Sequence, residues 1–383
     1  MEKIKILQGN CIDKIKELEN NSIDCVVTSP PYWGLRDYGT GKWQGGDINC
    51  DHLGKPQATR SNIHDRTQPQ CNNKKDETVR EIFKNICKKC GAKRIDKQFG
   101  LETTYQEHIQ NIVKLFRAMK PKLKDTATIW LNYGDSYAAT VNGTKVKDMK
   151  KNLQKNRLEN KSKTNGVYDD RGFIDKPFST IQGSLKPKDL VMIPNRIAIA
   201  LQDDGWWIRS EIIWHKPNPM PESTKDRPTS AHEKIWLITK SKKYYYDADA
   251  IKEPVKENSK KRVQYGLKAS HKANPYSYMD TDKMGERFCN SDGKRNKRNV
   301  WTITTKPFKE AHFATFPKDL IEPCIKAGCP EGGVVLDPFG GSGTTGIVAQ
   351  SLNRQAILIE LNKNYINIAN KRIDKELGMF SGS

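Results

Sequence analysis

The chain has 383 residues and carries 66 Lys and Arg against 45 Asp and Glu, a net charge of +21 that favours polyanionic partners over acidic protein surfaces. A mean hydropathy of -0.78 and the lack of any apolar run near the ~20 residues of a bilayer crossing exclude a membrane-embedded chain. Nine irregularly spaced cysteines do not form the disulfide frame of a small secreted fold, and no signal-peptide pattern opens the sequence, so the expected location is cytoplasmic.

In chain order, Ile4 to Leu7 is a predicted strand, followed by a helix from Cys11 to Glu19 that Asn10 can cap. Ile23 to Thr28 is a β-branched run that stops at Ser29-Pro30-Pro31, where two prolines cannot continue a ladder. Residues 105 to 119 place Ile109, Ile112, Val113 and Phe116 on one helical stripe, Pro121 ends it, and Thr126 to Leu131 resumes as a strand. A helix is expected from Asp189 to Gln202, then two strands, Trp206 to Trp214 and Lys234 to Thr239, that can lie antiparallel. The C-terminal part alternates helix 319–327, strand 334–336, helix 342–352, strand 356–359 and helix 362–377. Seven strands interspersed with helices predict an α/β fold with a doubly wound, mostly parallel sheet.

Two polar stretches, 141–188 and 252–300, interrupt this pattern and are rich in Lys and Arg, including Lys145, Lys150, Lys260, Arg262, Lys294 and Arg298. They read either as solvated surface or as phosphate-tracking segments.

Residues 333–346, GVVLDPFGGSGTTG, deliver Asp337 from a buried strand to a glycine-dense turn that opens a helix, an arrangement suited to holding a cofactor. Glu360 ends the next strand and is placed to accept hydrogen bonds from ribose hydroxyls. No lysine follows the last glycine as in a phosphate loop, so a polyphosphate is disfavoured. Asp337 would repel pyrophosphate yet accept from an ammonium group, and the helix start can face a carboxylate. A ribose joined to an amino acid meets both demands, as in S-adenosylmethionine; the bland alternative is a structural turn.

Upstream, the segment DCVVTSPPYWGLRDY sets Ser29 at a strand end with Tyr32 and Trp33 beyond the prolines. Ser29-Pro30-Pro31-Tyr32 followed far downstream by Asp337-Pro338-Phe339-Gly340-Gly341-Ser342-Gly343 resembles the amino-group DNA methyltransferases in the permuted order of the β class. The serine at the head of the tetrapeptide resembles the cytosine-N4 group, where adenine enzymes often carry Asp. The resemblance implies the Rossmann-like methyltransferase fold, S-adenosylmethionine as cofactor and duplex DNA as partner, with the catalytic segment Ser29, Pro30, Pro31 and Tyr32. The implied cofactor residues are Asn10, His312, Phe313, Pro317, Asp337, Phe339, Gly341, Ser342, Gly343, Thr344 and Glu360. Asn10 stands where the family often has an acidic residue. Trp33, Arg36, Trp214, Lys216 and Asn218 are the expected base- or DNA-facing residues, and a separate restriction endonuclease is a conceivable partner.

An exocyclic base amine is a poor nucleophile because its lone pair is delocalised into the ring. The Ser29 hydroxyl and Pro30 carbonyl are acceptors able to favour a more tetrahedral nitrogen, and Tyr32 would stack on an extruded base. Adenine-N6 methylation remains the nearest rival, and a non-catalytic zinc-stabilised DNA-binding module a more distant one.

Cys50-Asp51-His52 and Cys87-Lys88-Lys89-Cys90 supply four N/S ligands suited to a structural zinc across an apolar-poor stretch, with Cys71 and His64 as substitutes. Scattered reduced thiols or a redox pair are the alternatives. The expected organisation is a methyltransferase core of 1–46, 101–140, 189–217, 232–251 and 301–383. It is interrupted by a zinc-binding insertion at 47–100, the basic insertion 141–188, a cleft loop at 218–231 and a target-recognition insertion at 252–300.

Overall fold

The computed structural model describes residues 3–38, 40–57, 79–82, 86–139, 174–175, 179–255, 294–305 and 316–378. Most of the two basic insertions, and with them His312, Phe313, Cys71 and His64, lie outside the described residues.

Eight strands form the main sheet: β1 (Ile4–Gln8), β2 (Ile23–Thr28), β3 (Leu123–Tyr133), β4 (Trp207–His215), β5 (His232–Thr239), β6 (Val300–Thr302), β7 (Val334–Asp337) and β8 (Gln355–Glu360). Their spatial order is β1-β8-β7-β2-β3-β5-β4-β6. The first five neighbours in that order are parallel, with registers such as Val335 opposite Cys25 and Val26 opposite Ile129. Strand β5 then pairs antiparallel with both β3 and β4. The strand beyond the seven expected from sequence is β6, three residues held parallel to β4 at the sheet edge.

Alternation along the strands sends side chains into two cores. Val26, Ile129 and Leu131 face one, packed under helices α1 (Cys11–Lys16), α2 (Tyr105–Met119) and α3 (Ile193–Asp203). Cys25, Val27 and Trp130 face the other, covered by α4 (Lys318–Gly328), α5 (Thr344–Ser351) and α6 (Lys363–Gly378). Burial on both faces is why the central strands read as continuous apolar runs. Local chemistry sets the helix starts: Asn10 accepts from the Ile12 and Asp13 amides at 3.0 and 3.4 Å, and Thr104 caps α2 through the Glu107 amide. Helix α3 begins later than its apolar pattern suggested, because Met192 adopts φ 62° and Pro194 follows within the first turn.

Among the described residues no helix is long and apolar enough to cross a membrane.

Candidate active site

Strands β2 and β7 are parallel neighbours, so their C-terminal ends leave the sheet on the same edge, where α/β sheets open their ligand crevices. This brings together two motifs some 300 residues apart. Thr28 Oγ1 donates to Asp337 Oδ1 at 2.7 Å, Thr345 Oγ1 to Oδ2 at 2.6 Å, and the Phe339 amide to Oδ1 at 3.0 Å. Burial pushes the Asp337 carboxyl up, and these donors oppose the shift. Asp337 is therefore first a brace between β2, its own loop and α5. Three of a carboxylate's roughly four acceptor positions are taken, which leaves one for a ligand.

Above that brace lies a cavity of ≈ 160 Å³ whose walls include Ser29, Pro30, Pro31 and Tyr32 on one side and Asp337, Phe339, Gly341, Ser342, Thr344 and Glu360 on the other. Asn10 and Arg36 also reach it. Gly341 and Gly343 hold φ of 50° and 80°, and a β-carbon on Gly343 would sit 3.2 Å from that of Ala369, so loop and helix α6 pack with no room for a side chain. Glu360 accepts from the Gly341 amide at 2.9 Å and the Asn362 amide at 2.8 Å, one on each oxygen, so each oxygen keeps a further lone pair. Burial pushes this carboxyl up as well, against those same backbone donors. Arg372, which no local pattern marked, donates to Ser342 Oγ at 3.0 Å and Thr344 Oγ1 at 2.7 Å and pairs with Glu376 at 2.9 Å, so it braces the start of α5 against α6. Pro317, at the start of α4, is described, but Phe316 rather than Pro317 lines the cavity.

The tetrapeptide is held from below. Tyr32 stacks on Tyr133 with ring centroids 4.5 Å apart and donates its hydroxyl to Glu233 Oε2 at 2.8 Å. Burial, then the Glu233 charge, pushes the Tyr32 hydroxyl up, so it stays protonated. Beneath the loop a buried chain runs from Glu102 Oε2 to His108 Nδ1 at 2.8 Å, from His108 Nε2 to the Tyr133 hydroxyl at 2.8 Å, and from that oxygen to the Trp33 amide at 2.9 Å. Replacing Tyr133 by Phe should remove the hydroxyl that the Trp33 amide and His108 Nε2 both bond. The expected cost is about 1–3 kcal/mol in urea unfolding, with a proportionate loss of the loop's geometry.

Two expected DNA-facing residues do not face the cleft. Trp33 is 1% exposed, donates to the Glu102 carbonyl at 2.9 Å and packs edge-on to Tyr105; it is a core side chain. Trp214 is 3% exposed and donates to the Ile303 carbonyl at 2.8 Å, because it shares a strand face with Ile212 in the second core. Lys216 lies over the Trp214 ring and pairs with Glu233, so its charge is largely spoken for. Asn218 is exposed and closes a mutual pair of hydrogen bonds with Thr305.

Cys50, His52, Cys87 and Cys90 converge with all four ligand atoms within 4.8 Å of one another. The Cys50 and Cys87 sulfurs are 3.7 Å apart, and Cys90 Sγ lies 3.5 Å from His52 Nδ1. Tetrahedral zinc with bonds of about 2.0–2.3 Å calls for ligand edges of roughly 3.5–3.8 Å, so this donor set fits it. Gly91, at φ 75°, turns the chain so that its amide meets the Cys87 carbonyl at 2.8 Å, and Gly46 leaves room for the Cys90 sulfur.

Over residues 23–371 the chain matches the family described as DNA methylase, in its N6/N4 class. It is 36% identical over 371 residues to the type II methyltransferase M.Cfr9I of Citrobacter freundii, covering 97% of this chain and 88% of that protein. It is likewise 36% identical over 373 residues to M.SmaI of Serratia marcescens, covering 97% and 91%. The structure of PvuII DNA methyltransferase (cytosine-N4-specific), 14% identical, superposes with a TM-score of 0.53 over 100% of this chain and 92% of that one, a likeness of fold. With its motifs joined at one strand edge, this chain belongs to the N4/N6 amino-methyltransferases of DNA, among the type II methyltransferases.

Proposed function

We propose that the protein transfers a methyl group from S-adenosylmethionine to the N4 amine of a cytosine extruded from duplex DNA. The observation that carries this reading is the single cavity bordered by Ser29 and Pro30 on one wall and by Gly341 and Glu360 on the other. When bound, S-adenosylmethionine supplies an electrophilic methyl on a sulfonium. Glu360 keeps acceptors for the ribose hydroxyls, the start of α5 favours a carboxylate, and the last acceptor of Asp337 suits an ammonium.

Toward the base, Ser29 Oγ and the Pro30 carbonyl accept the amine hydrogens and draw the nitrogen lone pair out of ring conjugation. Tyr32, fixed by Tyr133 and Glu233, offers a ring for stacking. The nitrogen–methyl bond forms as the carbon–sulfur bond breaks, and the proton lost from nitrogen leaves to water. Positioning and electrostatics then account for most of the acceleration. A serine rather than a carboxylate at position 29 favours cytosine over adenine. Labelled methyl donor, mixed-sequence duplex DNA and chromatography of the digested nucleosides test this: N4-methylcytosine is expected, whereas N6-methyladenine would replace the cytosine assignment. The positive charge supplies phosphate affinity.

Because burial raises the Glu360 carboxyl, its ionised form, the better ribose acceptor, is depleted before an ordinary glutamate would be. Donor affinity is thus expected to be full above the Glu360 pKa and to fall as pH drops through it, above the usual glutamate range. Equilibrium dialysis against pH checks this, and Glu360→Gln should weaken binding throughout and leave only the acid limb that Asp337, likewise raised by burial, contributes.

The Cys50, His52, Cys87 and Cys90 cluster is assigned to a structural zinc that closes the insertion without entering the chemistry. Purified protein should contain about one equivalent of zinc; elemental analysis giving none would remove the assignment.

A further inference from the structure

We infer that the metal-bound insertion builds one wall of the cofactor cleft, so that zinc occupancy sets the affinity for S-adenosylmethionine; this rests on the donor and zinc readings above. Residues Lys42–Gln44 and Lys93–Ile95 pair antiparallel directly beside the Cys/His cluster. Followed the other way, the same two segments run into the cleft: Thr40 precedes one, and Lys97, Gln98 and Phe99 follow the other, all lining the cavity. The cluster is the outer end of a two-stranded stem, and the cavity wall is its inner end.

Polar contacts make the inner end rigid. Arg94 forks onto Asp37 at 2.8 and 3.1 Å and reaches Asp96 at 2.9 Å, with side chains 9%, 4% and 12% exposed. Gln98 accepts from the Tyr38 amide at 2.8 Å and donates to the Arg36 carbonyl at 2.9 Å, while Phe99 packs edge-on against Phe339 of the glycine loop. Among the described residues, apolar packing at the outer end is confined to the Trp43 ring stacked on His52 at 4.6 Å and to the buried Cys87 and Ala92. Ile48, Ile86 and Ile95 are 96%, 54% and 46% exposed, so the hydrophobic effect does little to hold this end closed. Four ligands gathered around one cation supply what packing does not.

The test uses the full chain with labelled S-adenosylmethionine in equilibrium dialysis, alongside zinc analysis, in zinc-loaded, chelated and reloaded protein. The expected result is a Kd that rises about tenfold or more on zinc removal and returns on reloading. Arg94→Ala, which leaves every metal ligand in place, should retain zinc and weaken binding by a similar factor, because it parts the stem from the wall. Zinc present and removable with Kd unchanged would overturn the coupling and leave the zinc reading standing, as would an Arg94→Ala protein of unaltered Kd. Absence of zinc in the purified protein would end both. Zinc-loaded protein that binds no S-adenosylmethionine would instead defeat the donor reading.

Discussion

Ser29→Ala is expected to slow methyl transfer in single-turnover assays by about 100- to 1,000-fold, the usual cost of removing one oriented hydrogen-bonding group at a reacting centre. The Kd for S-adenosylmethionine should stay nearly unchanged, because the donor is held by the opposite wall, from Gly341 to Glu360. The separation between a collapsed rate and an intact donor Kd is the diagnostic part. Glu233 and the stack on Tyr133 still hold the ring, which keeps the effect local to the base amine. Equal losses in rate and donor affinity would point to general collapse of the loop.

Asp337→Ala should have the largest effect on stability. It removes the acceptor for Thr28 and Thr345 hydroxyls and for the Phe339 amide at once, inside a site only 2% exposed. Hydroxyls can turn to other partners and an amide cannot, so the expected loss is about 3 kcal/mol in urea unfolding. Asp337→Asn separates stability from binding. Its carbonyl can still accept from Thr28 and Phe339, and the Thr345 hydroxyl can rotate to accept from the new amide. Burial already penalises the ionised carboxylate, so loss of the charge itself costs the fold little. Donor affinity should nevertheless fall, since the free acceptor position on Oδ2 becomes an amide N–H, which faces an ammonium group as a second donor with neither a lone pair nor a charge to offer.

Much of this site was legible because its chemistry sits at strand ends. The runs Ile23–Thr28 and Val334–Asp337 announce themselves by β-branched and apolar residues that stop at proline or glycine, and the functional groups follow at once. That the two ends touch depends on sheet order, and nothing local in either run specifies that β7 lies beside β2. The supports were harder to see. Tyr133, His108 and Glu233 come from a strand, a helix and another strand far apart in the chain, and each alone is an ordinary core or surface residue. Trp33 and Trp214 misled for a related reason: an aromatic next to a functional loop has the same sequence signature whether it faces a ligand or the core. The period-two partnership of Ile212 with Trp214 was the available sign of burial. Strand β6 is three residues long and emerges from a polar stretch, so its pairing comes from tertiary contact with β4 rather than from its own pattern.

The central claim is that one cavity presents an electrophilic methyl to an unstacked amine held by Ser29 and Pro30. A crystal structure with a non-reactive S-adenosylmethionine analogue and duplex DNA containing the target site tests it most directly. The account predicts the extruded cytosine against Tyr32, with its N4 within hydrogen-bond distance of Ser29 Oγ and the Pro30 carbonyl and in line with the analogue's transferable position. An extruded base lodged elsewhere, with those two acceptors turned away from it, would contradict the account.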